Sequence, residues 1–252
     1  LLPWSETRRL IVAFNRYIDR LRVMISRQER FSADASHQLK TPLAVLKTQA
    51  SVALASGDPR LWRESLAAMS GTLNSTILLT ERLLQLATIK RKEQGKQAFP
   101  PVDLQEIVHH SCFSRLQQAR SKAIDLGYEG ETSTVTIAGD GVLLSELCAN
   151  LLDNAIRYTP QGGIVTVSLH RDGEAVLLDV EDSGPGIDDA QIQQALMPFH
   201  RLENVGDNPG AGLGLALVSD IARLHRSHPQ LLRSETLGGL KVRLRFLRAR
   251  SE

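Results

Sequence analysis

Residues 31–46, with the sequence FSADASHQLKTPLAVL, decide the first half of the fold. Apolar side chains recur in this stretch at helical steps of four and three, at Phe31, Ala35, Leu39, Leu43 and Leu46. The spacing predicts an amphipathic helix with one apolar stripe. His37 falls between stripe positions, so its imidazole is expected to point into water, and a plain surface histidine is the simpler explanation of this stretch alone. Pro42 cannot donate a backbone hydrogen bond and is expected to bend or loosen the helix one turn later.

Two long helices are predicted around this stretch. The pattern is helical from about Glu6 to Ala55, with an apolar seam that repeats about every 3.5 residues and lapses at Gln28. Residues 56–59, SGDP, interrupt the pattern, since glycine ends helices and proline opens them. A second helical pattern runs from about Arg60 to Lys90. One hairpin cannot bury both apolar faces but two can form a four-helix bundle, so we expect a dimer.

The residue pattern changes in the second half of the chain, after a polar, glycine-containing segment at residues 91–97. Helices are predicted over about 102–120, 140–157 and 213–225, strands over 134–138, 163–170, 175–181, 230–234 and 241–247, and irregular chain over 182–210. Asp103 is placed as the N-cap or first-turn acid of the first helix. Helices mixed with mostly antiparallel strands predict an α+β two-layer sandwich.

Composition and charge narrow the classes of function and location. A net charge of +2 on 252 residues is too small to indicate nucleic acid as the main partner. The chain contains no run of about eighteen apolar residues, the length needed to span a membrane. It begins with Leu and not with Met, so we expect a fragment of a longer protein whose N-terminal part is missing. The early arginines fit a segment just inside a membrane and a solvated helix face equally well. Cys112 and Cys148 lack metal or disulfide spacing, which favours a reducing, cytoplasmic setting.

The segment NLLDNAIRY, residues 150–158, is the first of four motifs in the second half. Asn150, Asn154 and Arg157 are spaced four and three apart and therefore share one helix face. Carboxamide oxygens can hold a hydrated divalent cation, which prefers oxygen ligands. Taken alone, the motif is explained more simply as the exposed polar face of a helix.

The other three motifs follow in order. DSGPGI, residues 182–187, places Asp182 at a strand end, where a carboxylate can accept from an exocyclic amine such as that of adenine, although a plain turn uses the same residues. FHR, residues 199–201, lies within the long irregular stretch. GAGLGLAL, residues 210–217, opens a helix on glycines, an arrangement that can cradle phosphate.

The order and spacing of these four motifs resemble the ATP-binding fold shared by histidine kinases, type II topoisomerases, Hsp90 and MutL. Together with HQLKTPL at residues 37–43, they resemble a bacterial two-component sensor histidine kinase. The resemblance assigns residues 1–27 to part of a HAMP signalling helix and 28–97 to a dimerisation and histidine-phosphotransfer domain with its linker. It assigns residues 98–252 to a catalytic ATP-binding domain.

The resemblance also implies site residues. His37 would be the phosphoacceptor, Gln38 would orient its imidazole, and Thr41 would serve dephosphorylation of a regulator. The ATP site would comprise Asn150, Asn154, Arg157, Tyr158, Asp182, Gly184, Gly186, Arg201, Gly210, Gly212 and Gly214, with Mg²⁺ on Asn154 and Asn150 and with Phe199 anchoring a lid. Gln38 stands where relatives often carry an acid that acts as a general base. Residues 224–228, LHRSH, replace a His-Gly-Gly-like turn, with an expected effect on packing.

The function implied is an ATP-dependent protein-histidine kinase that phosphorylates itself on His37 and passes the phosphoryl group to an aspartate of a response regulator. It would be a homodimer, attached through a missing transmembrane part to the cytoplasmic face of the bacterial inner membrane, and would not bind nucleic acid. Gln38 leaves open a non-catalytic ATP-binding scaffold. A related ATPase is also open, with Glu146, one turn before Asn150, as its candidate water-activating base.

Overall fold

The computed structural model describes residues 4–93, 99–130, 134–200 and 212–249. It divides into two compact units, Leu1–Glu81 and Arg82–Glu252. Among the described residues, no helix combines the length and apolar character needed to cross a membrane. The boundaries predicted at 27/28 and 97/98 remain predictions, and residues 94–97 of the expected linker lie outside the described part.

The first unit is built from α1 (Trp4–Ala55) and from α2 (Pro59–Glu93), whose last turns belong to the second unit. The short turn between them is closed by its own polar groups, as SGDP predicts. The Asp58 carboxylate accepts from the Arg60 N–H at 2.8 Å, and the Trp62 indole donates to the Ser56 carbonyl at 2.6 Å. These contacts cap the start of α2, so the predicted helical hairpin is confirmed.

The half-buried face of α1 differs from the predicted stripe at one position. Phe31, Ala35, Leu39 and Leu46 are half-buried as expected. Leu43 is 58% exposed, however, and Pro42 takes its place on the half-buried face. Steps of seven residues, as from Ala35 to Pro42, keep a seam in line when two helices pack along their length, and this requirement outweighs the plain four-residue step.

A second apolar row on α2 is left exposed by the described residues of the single chain. Leu66, Leu73 and Ile77 are 61%, 47% and 49% exposed and are separated by steps of seven and four. This is the spacing of a coiled-coil seam. The row therefore has the character of a helix face that packs against another helix.

The second unit carries the remaining elements. In chain order they are β1 (Pro101–Asp103), α3 (Leu104–Ser121), β2 (Asp125–Gly130), β3 (Thr136–Ala138), α4 (Gly141–Tyr158), β4 (Ile164–Asp172), β5 (Ala175–Asp182), a 3₁₀ turn (Asp189–Gln191), α5 (Ile192–Ala195), α6 (Gly214–Leu224), β6 (Gln230–Arg233) and β7 (Leu240–Leu247). The main sheet has the order β2-β4-β5-β7-β6, in which only β2 and β4 are parallel, and β1 pairs with β3 separately. The predicted α+β sandwich is confirmed.

Alternation along the strands places the core between the sheet and the layer of α3, α4 and α6. Val165, Val167 and Leu169 of β4 are buried, and so are Leu147 and Leu151 of α4. Asp103 caps α3 as predicted, since its carboxylate accepts from the N–H of the second helical residue at 3.0 Å. The sandwich therefore presents the polar residues of α4 at one end of a rigid core.

Three local details differ from the sequence expectation. The helix expected from residue 102 begins at Leu104, because residues 101–103 pair as β1. The segment expected to be irregular contains the 3₁₀ turn and α5. β2, with the sequence DLGYEG, lacks an alternating pattern and is a strand because it pairs with β4.

The outer face of the sheet holds a buried carboxylate, Asp179, which is 0% exposed. Arg243 donates to both of its oxygens, at 2.9 and 2.7 Å, and the Lys241 ammonium lies 3.1 Å away. Burial disfavours the charged form, but these hydrogen bonds outweigh it and lower the pKa of Asp179.

We expect Asp179→Asn to destabilise the chain by about 3 kcal/mol at pH 7, the low end for opening a buried ion pair, because Arg243 and Lys241 reach solvent. A lowered pKa means that the stabilisation is present above the unfolded value near pH 4 and is lost as pH falls below it. Urea unfolding at pH 7 and at pH 3 measures both effects. Asp172→Asn, at an exposed 3.9 Å pair with Arg245, is the control and should change little. Equal effects of the two substitutions would contradict the assignment.

Candidate nucleotide-binding site

A pocket in the second unit opens between α4, the end of β5 and the start of α6. Its lining comprises Arg82, Leu151, Asn154, Ala155, Arg157, Tyr158, Val180, Asp182, Pro185, Gly186, Ile187, Ala195, His200, Gly212, Gly214, Leu215, Leu240 and Val242. The pocket brings together residues from all four motifs, and the FHR motif contributes His200. Asn150 and Gly184 lie directly behind the lining, whereas Arg201 and Gly210 fall outside the described residues.

Asp182 is the buried anion of this pocket. One oxygen, Oδ1, accepts from the Gly184 N–H at 2.8 Å and from the Leu240 N–H at 3.1 Å. Burial raises the pKa of Asp182 even though both backbone hydrogen bonds oppose the rise. Because both contacts use Oδ1, the carboxylate is held in place while Oδ2 can accept from a ligand amine.

Two glycines allow the backbone to approach Asp182 closely. A Cβ added at Gly184 would lie 2.9 Å from the carbonyl oxygen of Tyr158. A Cβ added at Gly239 would clash with the carbonyl oxygen of Asp182. Gly239 and Leu240 were not predicted as site residues, because the GG dipeptide indicates a turn and gives no sign of what the turn faces.

The polar end of the pocket lies where α6 begins. A Cβ added at Gly214 would lie 3.0 and 3.2 Å from Nδ2 and Oδ1 of Asn154 and 3.5 Å from Oδ1 of Asn150, so both amide side chains approach one point beside this glycine. The first N–H groups of a helix have no partner within the helix and favour anions. This end of the pocket therefore combines amide side chains with the first N–H groups of α6, and Arg157 also lines the pocket, a set suited to a phosphate chain with its cation.

Glu146, the candidate base of the ATPase alternative, has a different role in the structure. The Asn150 amide donates to the Glu146 side chain at 3.2 Å and to its backbone carbonyl at 2.8 Å. Within the described residues, Glu146 is absent from the pocket lining. Its carboxylate therefore orients Asn150 in this structure.

A backbone hydrogen bond joins Phe199 to Gly212, which stand on either side of residues 201–211, a segment outside the described part of the chain. The Phe199 N–H donates to the Gly212 carbonyl at 3.0 Å, and both residues have a positive φ, 64° and 65°. A Cβ at Gly212 would lie 2.7 Å from the His200 carbonyl oxygen, so this position requires glycine. The base of the segment expected to form a lid is thus closed by a backbone hydrogen bond.

His37, Gln38 and Thr41 lie on α1 in the first unit, and all three are exposed, as was predicted for His37. The Thr41 hydroxyl donates to the His37 carbonyl at 3.3 Å. Pro42 does not interrupt α1, which is helical on both sides of it. The histidine is therefore presented to solvent on a continuous helix.

Two family models match the chain. Residues 27–92 match the His Kinase A (phospho-acceptor) domain, and residues 139–250 match the histidine kinase-, DNA gyrase B- and HSP90-like ATPase family. Since members of the second family bind ATP, the pocket described above belongs to an ATP-binding domain.

Individual relatives agree with these matches. The chain is 34% identical over 220 residues to the sensor protein kinase PmrB of Pseudomonas aeruginosa, covering 87% of this chain and 46% of that protein. It is 36% identical over 222 residues to the sensor protein QseC of Salmonella typhi, covering 88% and 48%. The chain thus spans about half the length of the curated relatives that it matches.

Solved structures show the same fold. The mycobacterial sensor histidine kinase MprB superposes with a TM-score of 0.53 at 27% identity, covering 61% of this chain and 99% of that one. The histidine kinase AdeS of Acinetobacter baumannii gives 0.62 at 20% identity, covering 84% and 97%, and supports the fold alone. The chain therefore belongs to the sensor histidine kinases and holds their phospho-acceptor domain followed by their ATPase domain.

Proposed function

We propose that this chain is the kinase portion of a two-component sensor, which uses ATP to phosphorylate His37 and then donates the phosphoryl group to an aspartate of a response regulator. The observation that carries the proposal is the buried Asp182, fixed through one oxygen in a pocket that Asn154 and Arg157 also line. An exposed histidine in the phospho-acceptor segment of the same chain is the matching substrate.

ATP would lie with its adenine amine on Asp182 and its phosphates toward Asn154, Arg157 and the start of α6. Gly184 and Gly186 would let the base approach the backbone, with Tyr158 beside it, and Gly212 and Gly214 would border the phosphates. Arg201 and Gly210 are proposed on the sequence resemblance alone. Mg²⁺ would be held by the amide oxygens of Asn154 and Asn150 and would neutralise phosphate charge.

In the proposed transfer a ring nitrogen of His37 attacks the γ-phosphorus in line with its bond to the β–γ bridging oxygen. That bond breaks, ADP leaves and the ring proton passes to solvent, with positioning and charge neutralisation supplying most of the rate. Gln38 cannot take up a proton at neutral pH, so its part is to orient the imidazole by a hydrogen bond. Thr41, one helical turn from His37, would act in dephosphorylation of the regulator.

The assembly would be a homodimer in which the row of Leu66, Leu73 and Ile77 packs against helices of a second copy, as the exposure and spacing of the row support. The domains would divide as residues 1–27, 28–97 and 98–252. The full-length protein would be anchored at the cytoplasmic face of the bacterial inner membrane through an N-terminal part beyond this chain.

The test is incubation of the folded dimer with Mg²⁺ and γ-labelled ATP. A label on the chain that is labile in acid and stable in base, located at His37 by mass spectrometry, is the expected result. Transfer of this label to a receiver domain would support the second step. Sustained phosphate release without a labelled chain would favour the ATPase alternative, and ATP binding with neither product would favour the scaffold.

A further inference from the structure

The Lys122 ammonium occupies the carboxyl end of α4, the helix that carries the asparagines of the pocket. Its Nζ donates to the carbonyl oxygens of Ile156, Arg157 and Thr159 at 2.9, 2.8 and 2.7 Å. Carbonyls in the last turn of a helix have no intrahelical partner, and a cation there also opposes the negative end of the helix dipole. All three donors of one ammonium group are thus used at the end of a single helix.

The backbone around Lys122 fixes the place from which its side chain reaches α4. Lys122 caps α3, and its N–H donates to the Ala119 carbonyl at 3.1 Å. Ala123 follows with a positive φ of 52°, a conformation that non-glycine residues keep only where surrounding contacts require it. The Lys122 carbonyl accepts from the Gly162 N–H at 3.1 Å, so this residue also holds the turn after α4.

One of the three carbonyls held by Lys122 belongs to a residue of the pocket wall, and the other two flank that wall in the chain. Arg157 and Tyr158 line the pocket, and one of the three bonds is made to Arg157 itself. The next carbonyl, that of Tyr158, faces Gly184, where an added Cβ would lie only 2.9 Å from it. A shift of the end of α4 would therefore move the Arg157 side chain and the surface on which the turn after Asp182 rests.

We infer that Lys122 is a positioning residue for nucleotide binding, which holds the end of α4 so that Arg157, Tyr158 and the turn after Asp182 keep their places around ATP. This inference extends the proposed function and depends on it in one respect, namely that the pocket is the ATP site. Lys122 itself is absent from the described lining and acts through backbone carbonyls.

The experiment compares Lys122→Met with Arg115→Met in the full chain. Arg115→Met is the matched control, because Arg115 also joins α3 to α4, through a 3.3 Å pair with Asp153, and neither of these residues is in the described lining. Groups that orient a binding residue from behind typically contribute roughly 10- to 100-fold in affinity, so K122M is expected to bind ATP at least about tenfold more weakly. R115M should bind ATP as the wild type does.

Titration calorimetry with ATP·Mg²⁺, well below the unfolding temperature of each variant, is the primary readout. In autophosphorylation, KM for ATP should rise by the same factor while kcat stays within about twofold, because transfer to His37 does not involve Lys122. If K122M does not fold, Lys122→Arg keeps the charge but cannot converge on three carbonyls, and is expected to bind ATP about threefold more weakly.

Unchanged ATP affinity in K122M, or in K122R where only that variant folds, would overturn the inference and leave Lys122 a role in stability alone. Equal weakening in R115M would also overturn it, because any link between α3 and α4 would then suffice. Absence of ATP binding by the wild-type chain would instead overturn the proposed function, so the two failures are distinguishable.

Discussion

Replacing His37 by glutamine is expected to abolish phosphorylation of the chain and to leave ATP affinity unchanged. Glutamine keeps a polar side chain at an exposed helix position, so α1 should be unaffected. Its amide nitrogen is not a nucleophile, and no phosphoramidate can form there. The measurement is acid-labile label from γ-labelled ATP, together with calorimetric ATP binding on the same preparation.

His110→Gln is the matched control for that substitution. His110 is also an exposed histidine on a helix, α3, and should become neither labelled nor necessary. Label persisting at wild-type level in the His37 variant would show that another residue accepts the phosphoryl group. Loss of ATP binding in the same variant would show instead that the substitution disturbs the fold.

Replacing Asp182 by asparagine is expected to weaken ATP binding about 100-fold, the effect of one lost hydrogen bond and one unpaired buried group. Asparagine can keep Oδ1 on the Gly184 and Leu240 N–H groups. Its Nδ2 would then replace the oxygen that we propose faces the adenine amine, so that two donors would oppose each other. Calorimetry with ATP·Mg²⁺ measures the loss.

The same substitution should not lower stability, and this separates a binding role from a structural one. The pKa of Asp182 is raised by burial, so the folded state binds the proton more tightly than the unfolded state does. Its stability contribution therefore falls as pH rises from the unfolded value near 4 through the raised value. At pH 7 the neutral variant should unfold at an equal or higher urea concentration. Asp189→Asn, exposed in the 3₁₀ turn that follows β5, is the control for both measurements. A destabilised Asp182→Asn variant with normal ATP affinity would contradict this assignment.

Much of the fold could be predicted because its signals are local. The SGDP turn, the Asp103 cap and the two consecutive strands β4 and β5 depend on neighbours a few residues apart, and each predicted feature is present. The site motifs are local in the same sense, since the spacing of Asn150, Asn154 and Arg157 alone places them on one helix face. The chemistry of each motif could thus be anticipated before its surroundings were known.

The sequence by itself determined the two helices, the sandwich and the residue types of the site. Only the tertiary structure decided which oxygen of Asp182 is left for a ligand, because its second backbone donor, Leu240, lies on another strand. It also decided that Glu146 holds Asn150, that Pro42 replaces Leu43 on the half-buried face, and that Lys122 caps α4. The physical reason is the same in each case. These contacts join side chains and backbone groups whose separation is set by packing, and neither periodicity nor turn chemistry in the sequence reports on that packing.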